Sequence, residues 1–366
     1  MDWSVILLLF GAGPLLVFVI SAIRRVFFSP LSKFPGPKFA ALTLWNEFYW
    51  DVVKRGTFIW RIEDMHKKYG PIVRINPYEL HIIDPEFYDE LYSSNRKSDK
   101  YRWWTNLAGA DGSSFSTVPH DLHRLRRGAL NPFFSVRSVT QLEPLIRSKV
   151  EKLSARFGEI AQTGEVVRLD AAFMALTMDI ICDYAFANDR KYLDEPDFKL
   201  IWKETIIGAF EGGANSVIRE GLRLSYGVTT RLPRIAHQDI QYGEHVIPAG
   251  TPVSETPYFV LMHPTIFPEP QTFKPERWLE AERRGKRLDK YLVSFGKGSR
   301  QCLGMNLAYA ELYLATATVI RRFDWEMFET TLDDVVCKHD FFVAVGNLDT
   351  KGVRATLSHR QTHKEA

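Results

Sequence analysis

Residues 295–304 read FGKGSRQCLG and decide both the fold and the chemistry expected of this chain. They join a glycine-rich loop and a thiol to an apolar helical pattern that covers residues 305–320. Glycines let a backbone turn tightly and approach a flat cofactor closely. A thiolate at a helix N-terminus is stabilised by the free N–H groups there. The stretch therefore predicts that Cys302 ligates iron.

A lone cysteine is more often a buried structural residue, so the prediction depends on its surroundings. The stretch resembles the haem-binding signature of the cytochrome P-450 family at seven positions: Phe295, Gly298, Arg300, Cys302, Gly304, Ala308 and Glu311. The resemblance implies that haem b binds here, with Cys302 as the axial ligand and with Phe295, Gly298, Arg300 and Gly304 around it. An anionic sulfur on haem iron favours cleavage of the O–O bond of dioxygen.

Other family motifs follow in order along most of the chain, including EGLR at residues 220–223 and PERW at residues 275–278. Glu220 and Arg223 lie three residues apart on a predicted helix and so share a face. The resemblance implies that they pair with Arg277 and that the role of all three is structural. It also implies an α+β fold that is mainly helical, with small β-sheets.

The two propionates of haem need cationic donors, for which the forked guanidinium of arginine is well suited. By resemblance, the donors are His123, Arg127, Arg234 and Arg300. The family more often has tryptophan where His123 stands.

Composition excludes several other classes of protein. The 366 residues are 45% hydrophobic and 25% charged, and the net charge is only +3, without a basic tail. This is ordinary for a globular protein and gives no reason to expect a nucleic-acid partner. The three cysteines, Cys182, Cys302 and Cys337, are too few and too scattered for a disulfide framework or a CxxC metal site. The folded part is expected in a reducing compartment.

The N-terminal residues predict a membrane anchor over residues 1–25, because residues 4–23 carry no charge and would span about 30 Å as a helix. Arg24 and Arg25 follow this segment, so the rest of the chain is expected on the cytosolic side of the endoplasmic reticulum membrane. A cleaved signal peptide is the alternative, but it expects positive charge before the apolar run. Residues 26–40 form a proline-rich hinge, residues 41–358 the haem-binding domain, and residues 359–366 a tail.

One part of the family pattern is missing. The family has a long central helix with a glycine-rich turn, an acid and a threonine, which crosses the distal face of the haem. The nearest candidate, residues 211–216, does not place the acid and the threonine correctly. The sequence therefore predicts an internal deletion near residues 214–217, of roughly 100 residues or more, given the length of a helix that spans a domain.

The resemblance implies a monooxygenase that inserts one oxygen atom from dioxygen into an apolar substrate, using electrons from NADPH through a partner reductase. Residues 222–234, LRLSYGVTTRLPR, resemble fungal secondary-metabolism members of the family, including trichodiene-oxygenase-like enzymes. A terpenoid or polyketide substrate is an expectation by analogy. Residues 101–118 and 228–230 are where substrate contacts are expected.

Two alternatives stay open. The missing helix suggests a truncated, non-catalytic haem-binding remnant, whereas a haem-thiolate isomerase or dehydratase would need no reductase. Turnover that depends on Cys302 would exclude the remnant, and reaction without NADPH would indicate the isomerase or dehydratase.

Overall fold

The computed structural model describes residues 13–106, 113–198 and 215–360. They form two compact units, one comprising residues up to Arg124 together with Arg231–Phe259, and the other comprising Leu125–Thr230 and the residues from Val260 onward. The α-helices are α1 (Gly13–Ile23), α2 (Lys38–Leu42), α3 (Trp45–Phe48), α4 (Phe58–Tyr69), α5 (Tyr88–Leu91), α6 (Arg102–Asn106), α7 (His120–Leu130), α8 (Val136–Gln141), α9 (Glu143–Thr163), α10 (Leu169–Phe186), α11 (Asn215–Ser225), α12 (Pro257–Leu261), α13 (Glu276–Arg283) and α14 (Met305–Arg322).

Short π-helical or 3-10 segments cover Arg24–Phe28, Tyr49–Val53, Asn131–Phe134, Tyr192–Asp194, Leu288–Tyr291, Gly298–Arg300 and Leu332–Asp334. The strands are β1 (Ile72–Arg74), β2 (Leu80–Ile82), β3 (Ser98–Lys100), β4 (Val167–Arg168), β5 (Arg234–Ala236), β6 (Ile240–Tyr242), β7 (His245–Ile247), β8 (Pro252–Ser254), β9 (Phe323–Met327), β10 (His339–Asp340), β11 (Ala344–Val345) and β12 (Arg354–His359).

Apolar residues recur at spacings of three and four over residues 122–130, 142–157, 169–187 and 305–320, and these stretches form α7, α9, α10 and α14. Helix α10 ends at Phe186 because Ala187 adopts a left-handed conformation, with φ of 48°, and its N–H group donates to the carbonyl oxygen of Cys182. The same spacing over residues 198–210 predicts a further helix, but all of it after residue 198 lies outside the described residues. Residues 211–214 also lie outside the described residues, so of the region near residues 214–217, where the deletion is predicted, only residues 215–217 are described.

The first unit is built on a five-stranded sheet with the order β1-β2-β8-β5-β3. Strands β2 and β8 are parallel, and the other neighbours are antiparallel. The turn between β1 and β2 is fixed by Asn76, whose Oδ1 atom accepts hydrogen bonds from the N–H groups of Tyr78 and Glu79, both at 2.9 Å. Strands β6 and β7 form a separate hairpin.

Two buried histidines form a directed hydrogen-bond chain in this unit. The Nδ1 atom of His66 donates to the carbonyl oxygen of Gly70 at 2.7 Å, so in the neutral ring its Nε2 atom accepts from Nδ1 of His81, also at 2.7 Å. The Nε2 atom of His81 then accepts from the hydroxyl of Thr256 at 2.9 Å. Burial lowers the pKa of both rings, so both are neutral at pH 7, and each of their four nitrogens has a hydrogen-bond partner.

Acid is expected to destabilise the first unit through these histidines. Burial lowers the pKa of His66 to about 4 and lowers the pKa of His81 well below its ordinary value. Unfolded histidine titrates near 6.5, so between that pH and about 4 the unfolded state binds more protons and stability falls. For His66 the loss by pH 4 is on the order of 3 kcal/mol. Urea unfolding at a series of pH values measures it.

His66→Gln serves as the comparison, because an amide can still donate to the carbonyl oxygen of Gly70 but does not titrate. The stability of this variant should fall less steeply than that of the wild-type protein between pH 6.5 and 4. Parallel curves for the two proteins would show that the histidine chain does not determine the acid sensitivity.

The second unit has a core of apolar side chains from α9, α10, α14 and β12. Phe157 is fully buried in this core. Its ring centre lies 6.1, 6.0 and 5.9 Å from those of Phe173, Phe323 and Trp325, each in an edge-on arrangement. Strands β4, β12 and β9 form a three-stranded antiparallel sheet, and β10 and β11 form a hairpin. This core holds α14.

Among the residues that the structure describes, no helix combines the length and the apolar character needed to cross a membrane. Helix α1 covers Gly13–Ile23, whereas residues 4–12 of the predicted anchor lie outside the described part. The anchor therefore stays a prediction.

Candidate functional site

The loop before α14 folds as the glycines predict. Gly296 and Gly298 have φ values of 66° and 68°, which residues other than glycine rarely adopt. The N–H group of Gly296 donates to the carbonyl oxygen of Val293 at 2.8 Å, and that of Gln301 donates to the carbonyl oxygen of Gly298 at 3.1 Å. The loop is therefore closed by its own backbone. The turn Gly298–Arg300 ends with Arg300 half-buried.

Cys302 lies where this loop meets α14. Its N–H group donates to the carbonyl oxygen of Phe295 at 2.8 Å, and its half-buried sulfur accepts from the N–H groups of Gly304 and Met305. Burial raises the pKa of the Cys302 thiol, although those N–H groups and the positive charge of Arg127 act in the opposite direction. The same three groups would stabilise a thiolate bound to a metal ion.

Arg127 reaches the cysteine loop from α7. Its Nη1 atom donates to the carbonyl oxygen of Gln301 at 2.5 Å. Burial lowers the pKa of Arg127, and the neighbouring Cys302 opposes that shift. A cation is thus held beside the sulfur within the second unit.

Gly304 tests whether the site fits a flat cofactor. Its φ of −80° is open to any residue, and an added Cβ atom would meet nothing within 4 Å. Neither backbone conformation nor protein packing therefore requires glycine at this position. Open space beside a half-buried thiol at a helix start fits a planar ring such as haem. Phe295 borders this region, and its ring packs against Tyr309 at 5.5 Å.

The signature continues into the interior along α14. Ala308 and Glu311 are both buried. The carboxylate of Glu311 accepts from the hydroxyl of Thr177 on α10 at 3.3 Å. Burial raises the pKa of Glu311 to about 8, with the Thr177 hydrogen bond opposing, so that this side chain is mainly neutral at pH 7. Glu311 therefore ties α14 to α10.

Glu220, Arg223 and Arg277 meet in the second unit. The guanidinium of Arg223 donates to both carboxylate oxygens of Glu220, at 3.0 and 2.8 Å, and Nε of Arg277 donates to the same carboxylate at 3.1 Å. Trp278 also donates to it, from Nε1 at 3.0 Å. The side chains of Glu220 and Arg223 are fully buried.

The electrostatics of this network favour the ionised carboxylate. Burial alone would raise the pKa of Glu220, but the hydrogen bonds from Arg223 and the Lys274 N–H group, with the charges of both arginines, lower it below its ordinary value. The other N–H groups of the two guanidinium groups donate mainly to backbone carbonyl oxygens, as Nη1 of Arg223 does to that of Leu261 at 3.0 Å. The network thus joins α11 to α13 and to the segment before α13.

Arg234 lies in the first unit, on the inner strand β5, and is buried. Its Nη1 atom donates to the carbonyl oxygens of Leu232 and Pro233, both at 3.2 Å, and its guanidinium lies 5.1 Å from the ring centre of Tyr92. Burial lowers the pKa of Arg234.

Lys100 is a candidate that the sequence analysis missed. In the antiparallel pair of β3 and β5 it lies directly opposite Arg234, so that both side chains are on one face of the sheet. Both are buried. The ammonium of Lys100 donates to the carbonyl oxygen of Phe115 and lies 4.1 Å from the centre of its ring, whereas the guanidinium of Arg234 lies over the ring of Tyr92. Buried cations of this kind suit an anionic group such as a carboxylate. Lys100 follows Asp99 in a polar stretch, so only the strand register reveals its position.

The structure thus distributes the predicted haem residues over both units. Cys302, Arg127 and Arg300 belong to the second unit. His123 and Arg234 belong to the first, where His123 is buried on α7 and its N–H group donates to the carbonyl oxygen of Pro119 at 3.0 Å.

Residues 228–230, one of the two predicted substrate segments, pair with the β10–β11 hairpin. The hydroxyl of Thr229 donates to Oδ1 of Asp340 at 2.9 Å, and its N–H group donates to the carbonyl oxygen of Phe342 at 3.1 Å. Thr229 is fully buried, whereas Val228 and Thr230 are half-buried. Of the other segment, residues 107–112 lie outside the described residues.

Comparison with known proteins identifies a family. A family model described as Cytochrome P450 matches residues 37–206 and 214–348. Tryptophan 6-hydroxylase fscE of Fusarium equiseti is 34% identical, over 94% of this chain and 96% of the relative. Cytochrome P450 monooxygenase sdnE of Sordaria araneosa is also 34% identical, over 92% and 95%, and cytochrome P450 monooxygenase TRI4 of Fusarium sporotrichioides is 31% identical, over 91% of each chain.

The lengths of these alignments exceed the length of the chain. The alignment with fscE has 492 positions but uses only 94% of the 366 residues, which is about 344. About 148 positions, the difference between 492 and 344, therefore hold residues of the relative that have no counterpart here. The family match is also interrupted between residues 206 and 214.

Proposed function

Because this chain belongs to the cytochrome P450 family of monooxygenases, we propose that it is a haem-thiolate enzyme of fungal secondary metabolism that inserts one oxygen atom from dioxygen into an apolar substrate. The observation that carries the proposal is the position of Cys302, whose sulfur is held by two N–H groups at the start of α14 with Arg127 beside it. The fungal monooxygenases that align with the chain support it.

Cys302 would ligate the iron, with Phe295, Gly298 and Gly304 around the haem. When bound, the haem iron supplies the redox chemistry through which dioxygen is activated. The residues of the chain do the remaining work. The N–H groups of Gly304 and Met305 stabilise the anionic sulfur, and the carbonyl oxygen of Phe295 holds the backbone of Cys302 by accepting from its N–H group.

The propionates would be held by His123, Arg127, Arg234 and Arg300, to which we add Lys100. Arg234 and Lys100 share one face of a sheet, and Arg127 is already fixed through the carbonyl oxygen of Gln301. Arginine on a rigid strand loses little conformational freedom when it binds a carboxylate. These residues would therefore contribute to affinity for the cofactor, and not to the chemistry itself.

The electrons would come from NADPH through a partner reductase, and the chain would be anchored in the endoplasmic reticulum membrane with its catalytic part in the cytosol. The substrate would be an apolar terpenoid or polyketide. Within residues 228–230 the contacts would come from Val228 and Thr230, because the hydroxyl of Thr229 is already used on Asp340.

A second candidate function is a haem-binding remnant without catalytic activity. The observation that favours it is the excess length of the relatives, together with the interrupted family match before residue 214. A deletion near residues 214–217 would remove the central helix that supplies protons and excludes water at the distal side of the haem. The chain would then bind haem but would not catalyse oxidation.

Turnover separates these functions. Purified protein loaded with haem would be incubated with NADPH, a fungal P450 reductase and a panel of terpenes, polyketides and tryptophan, and the products identified by mass spectrometry. A product 16 mass units heavier than its substrate, absent in Cys302→Ser and in the absence of NADPH, is the result expected for a monooxygenase that transfers one oxygen atom. Haem-loaded protein that gives no such product would support the remnant. A product of unchanged or lower mass that forms without NADPH would indicate an isomerase or dehydratase.

A further inference from the structure

Glu255 is a buried carboxyl of the first unit without a hydrogen-bond partner among the residues that the structure describes. It follows β8, which lies between β2 and β5 in the five-stranded sheet. Only 1% of the residue is exposed, and neither carboxylate oxygen is bonded to a described residue. The backbone of Glu255 is held, because its N–H group donates to the hydroxyl of Tyr92 at 3.0 Å. Buried polar groups that lack a partner destabilise a fold and are rare.

Tyr88 is a second buried group of this kind. It is the first residue of α5 and is 1% exposed, and its hydroxyl is not bonded to any described residue. Its ring centre lies 4.5 Å from that of Tyr92. Burial raises the pKa of Tyr88 well above its ordinary value, and negative charges on Tyr92 and Glu255 raise it further, against the positive charge of Arg234. The hydroxyl and the carboxyl therefore lie close enough to act on each other.

The surroundings of Glu255 keep its carboxyl neutral. Burial raises the pKa of Glu255 well above its ordinary value, and the negative charges of Asp84 and Asp89 raise it further. Asp84 is half-buried, and its Oδ2 atom accepts from the hydroxyl of Tyr242 at 3.1 Å. A neutral carboxyl both donates and accepts hydrogen bonds, as a tyrosine hydroxyl does. Two such groups that are near each other but not bonded to each other suit water, which can accept from one and donate to the other.

We propose that Glu255 and Tyr88 bind water inside the first unit, and that this hydrated pair locks α5 to the sheet for as long as the carboxyl carries its proton. When the pH rises, the proton passes to hydroxide in the solvent. The carboxylate that remains would be buried near the negative charges of Asp84 and Asp89. Opening of α5 would hydrate all three carboxylates, so loss of the proton favours the open form.

This lock does not depend on the haem chemistry proposed above. Cys302 belongs to the second unit, whereas Glu255 and Tyr88 both belong to the first. Failure of one proposal would therefore not decide the other.

Infrared spectroscopy of the full chain tests the proton and the water. At pH 7 we expect a C=O stretching band of a protonated carboxyl that Glu255→Gln removes. Glu311 is also mainly neutral at this pH, so its band should remain as an internal reference. Tyr88→Phe keeps the buried ring and should move the Glu255 band without removing it, because the water loses one partner. In heavy-oxygen water, the difference spectrum between the wild-type protein and Glu255→Gln should contain an O–H band of bound water that moves to lower frequency.

Amide hydrogen exchange tests the lock. Glu255→Gln keeps the shape of the side chain and can donate and accept hydrogen bonds, but it does not titrate. In the open form the carboxyl is hydrated and titrates near 4.3, whereas in the closed form its pKa is raised. The closed form therefore binds more protons above that pH, and the stability that Glu255 contributes is lost as the pH rises through the folded value. Relative to Glu255→Gln, the opening constant of α5 should increase about tenfold for each pH unit above about 4.3, until the folded pKa is reached. The first part of α4, in the same unit, serves as the reference segment.

Three results would contradict the proposal. A spectrum from which Glu255→Gln removes no band would mean that the carboxyl is ionised at pH 7. A band that neither Tyr88→Phe nor heavy-oxygen water changes would mean that the two groups share no water. Exchange in α5 with the same pH dependence in the wild-type protein and in Glu255→Gln would mean that the proton does not lock this helix.

Discussion

The reduced, haem-loaded protein is expected to bind carbon monoxide with a Soret band far to the red of that of a histidine-ligated haem, and Cys302→Ser is expected to lose this band completely. Only a thiolate ligand donates enough electron density to shift the band so far. The structure gives Cys302 the surroundings that such a ligand needs, with N–H groups from Gly304 and Met305 on the sulfur. The measurement is a difference spectrum of the reduced protein with and without carbon monoxide.

Cys182→Ser is the matched control, because it replaces another cysteine of the same unit by the same residue. Cys182 is buried on α10 and belongs to no predicted haem contact. Its variant should keep the red-shifted band. A wild-type band at the position typical of histidine-ligated haem would refute Cys302 as the ligand. Folded protein that takes up no haem would show that the chain has lost the cofactor site.

The cysteine loop could be predicted from sequence because every feature it needs is local. Gly296 and Gly298 have the positive φ values that the loop requires, and α14 begins directly after Gly304. The same is true of the spacing of Glu220 and Arg223 on one helix face, since a helix places residues three apart side by side. In such patterns the relative positions of the residues follow from their spacing within one loop or one helix.

Features that depend on strand register or helix rotation could not be predicted in this way. The position of Lys100 opposite Arg234 follows from the pairing of β3 with β5, which are separated by more than 130 residues. Which face of the helix at residues 45–53 is turned towards the first unit depends on the ion pair of Glu47 with Arg231, which are 184 residues apart.

Glu220→Gln is expected to lower the free energy of unfolding by on the order of 3–5 kcal/mol, the cost of removing one partner from a buried ion pair. The amide keeps the shape of the side chain, but Arg223 and Arg277 would remain buried without a negative charge between them. Arg223 is fully buried, so water cannot solvate its guanidinium once the negative charge of Glu220 is removed. Urea unfolding followed by the fluorescence of Trp278, which donates to this carboxylate, would measure the change.

Glu143→Gln provides the comparison, because Glu143 pairs with Arg147 on the same unit but with 50% and 58% of the side chains exposed. Solvent screens that pair, so its loss should cost no more than about 0.5 kcal/mol. The pH dependence adds a second test. The pKa of Glu220 is lowered by folding, so the stability it contributes is present above the unfolded pKa of about 4.3 and is lost as the pH falls through the folded value. Similar costs for Glu220→Gln and Glu143→Gln would mean that the two arginines are held by the backbone carbonyls alone, and the carboxylate would then have no structural role.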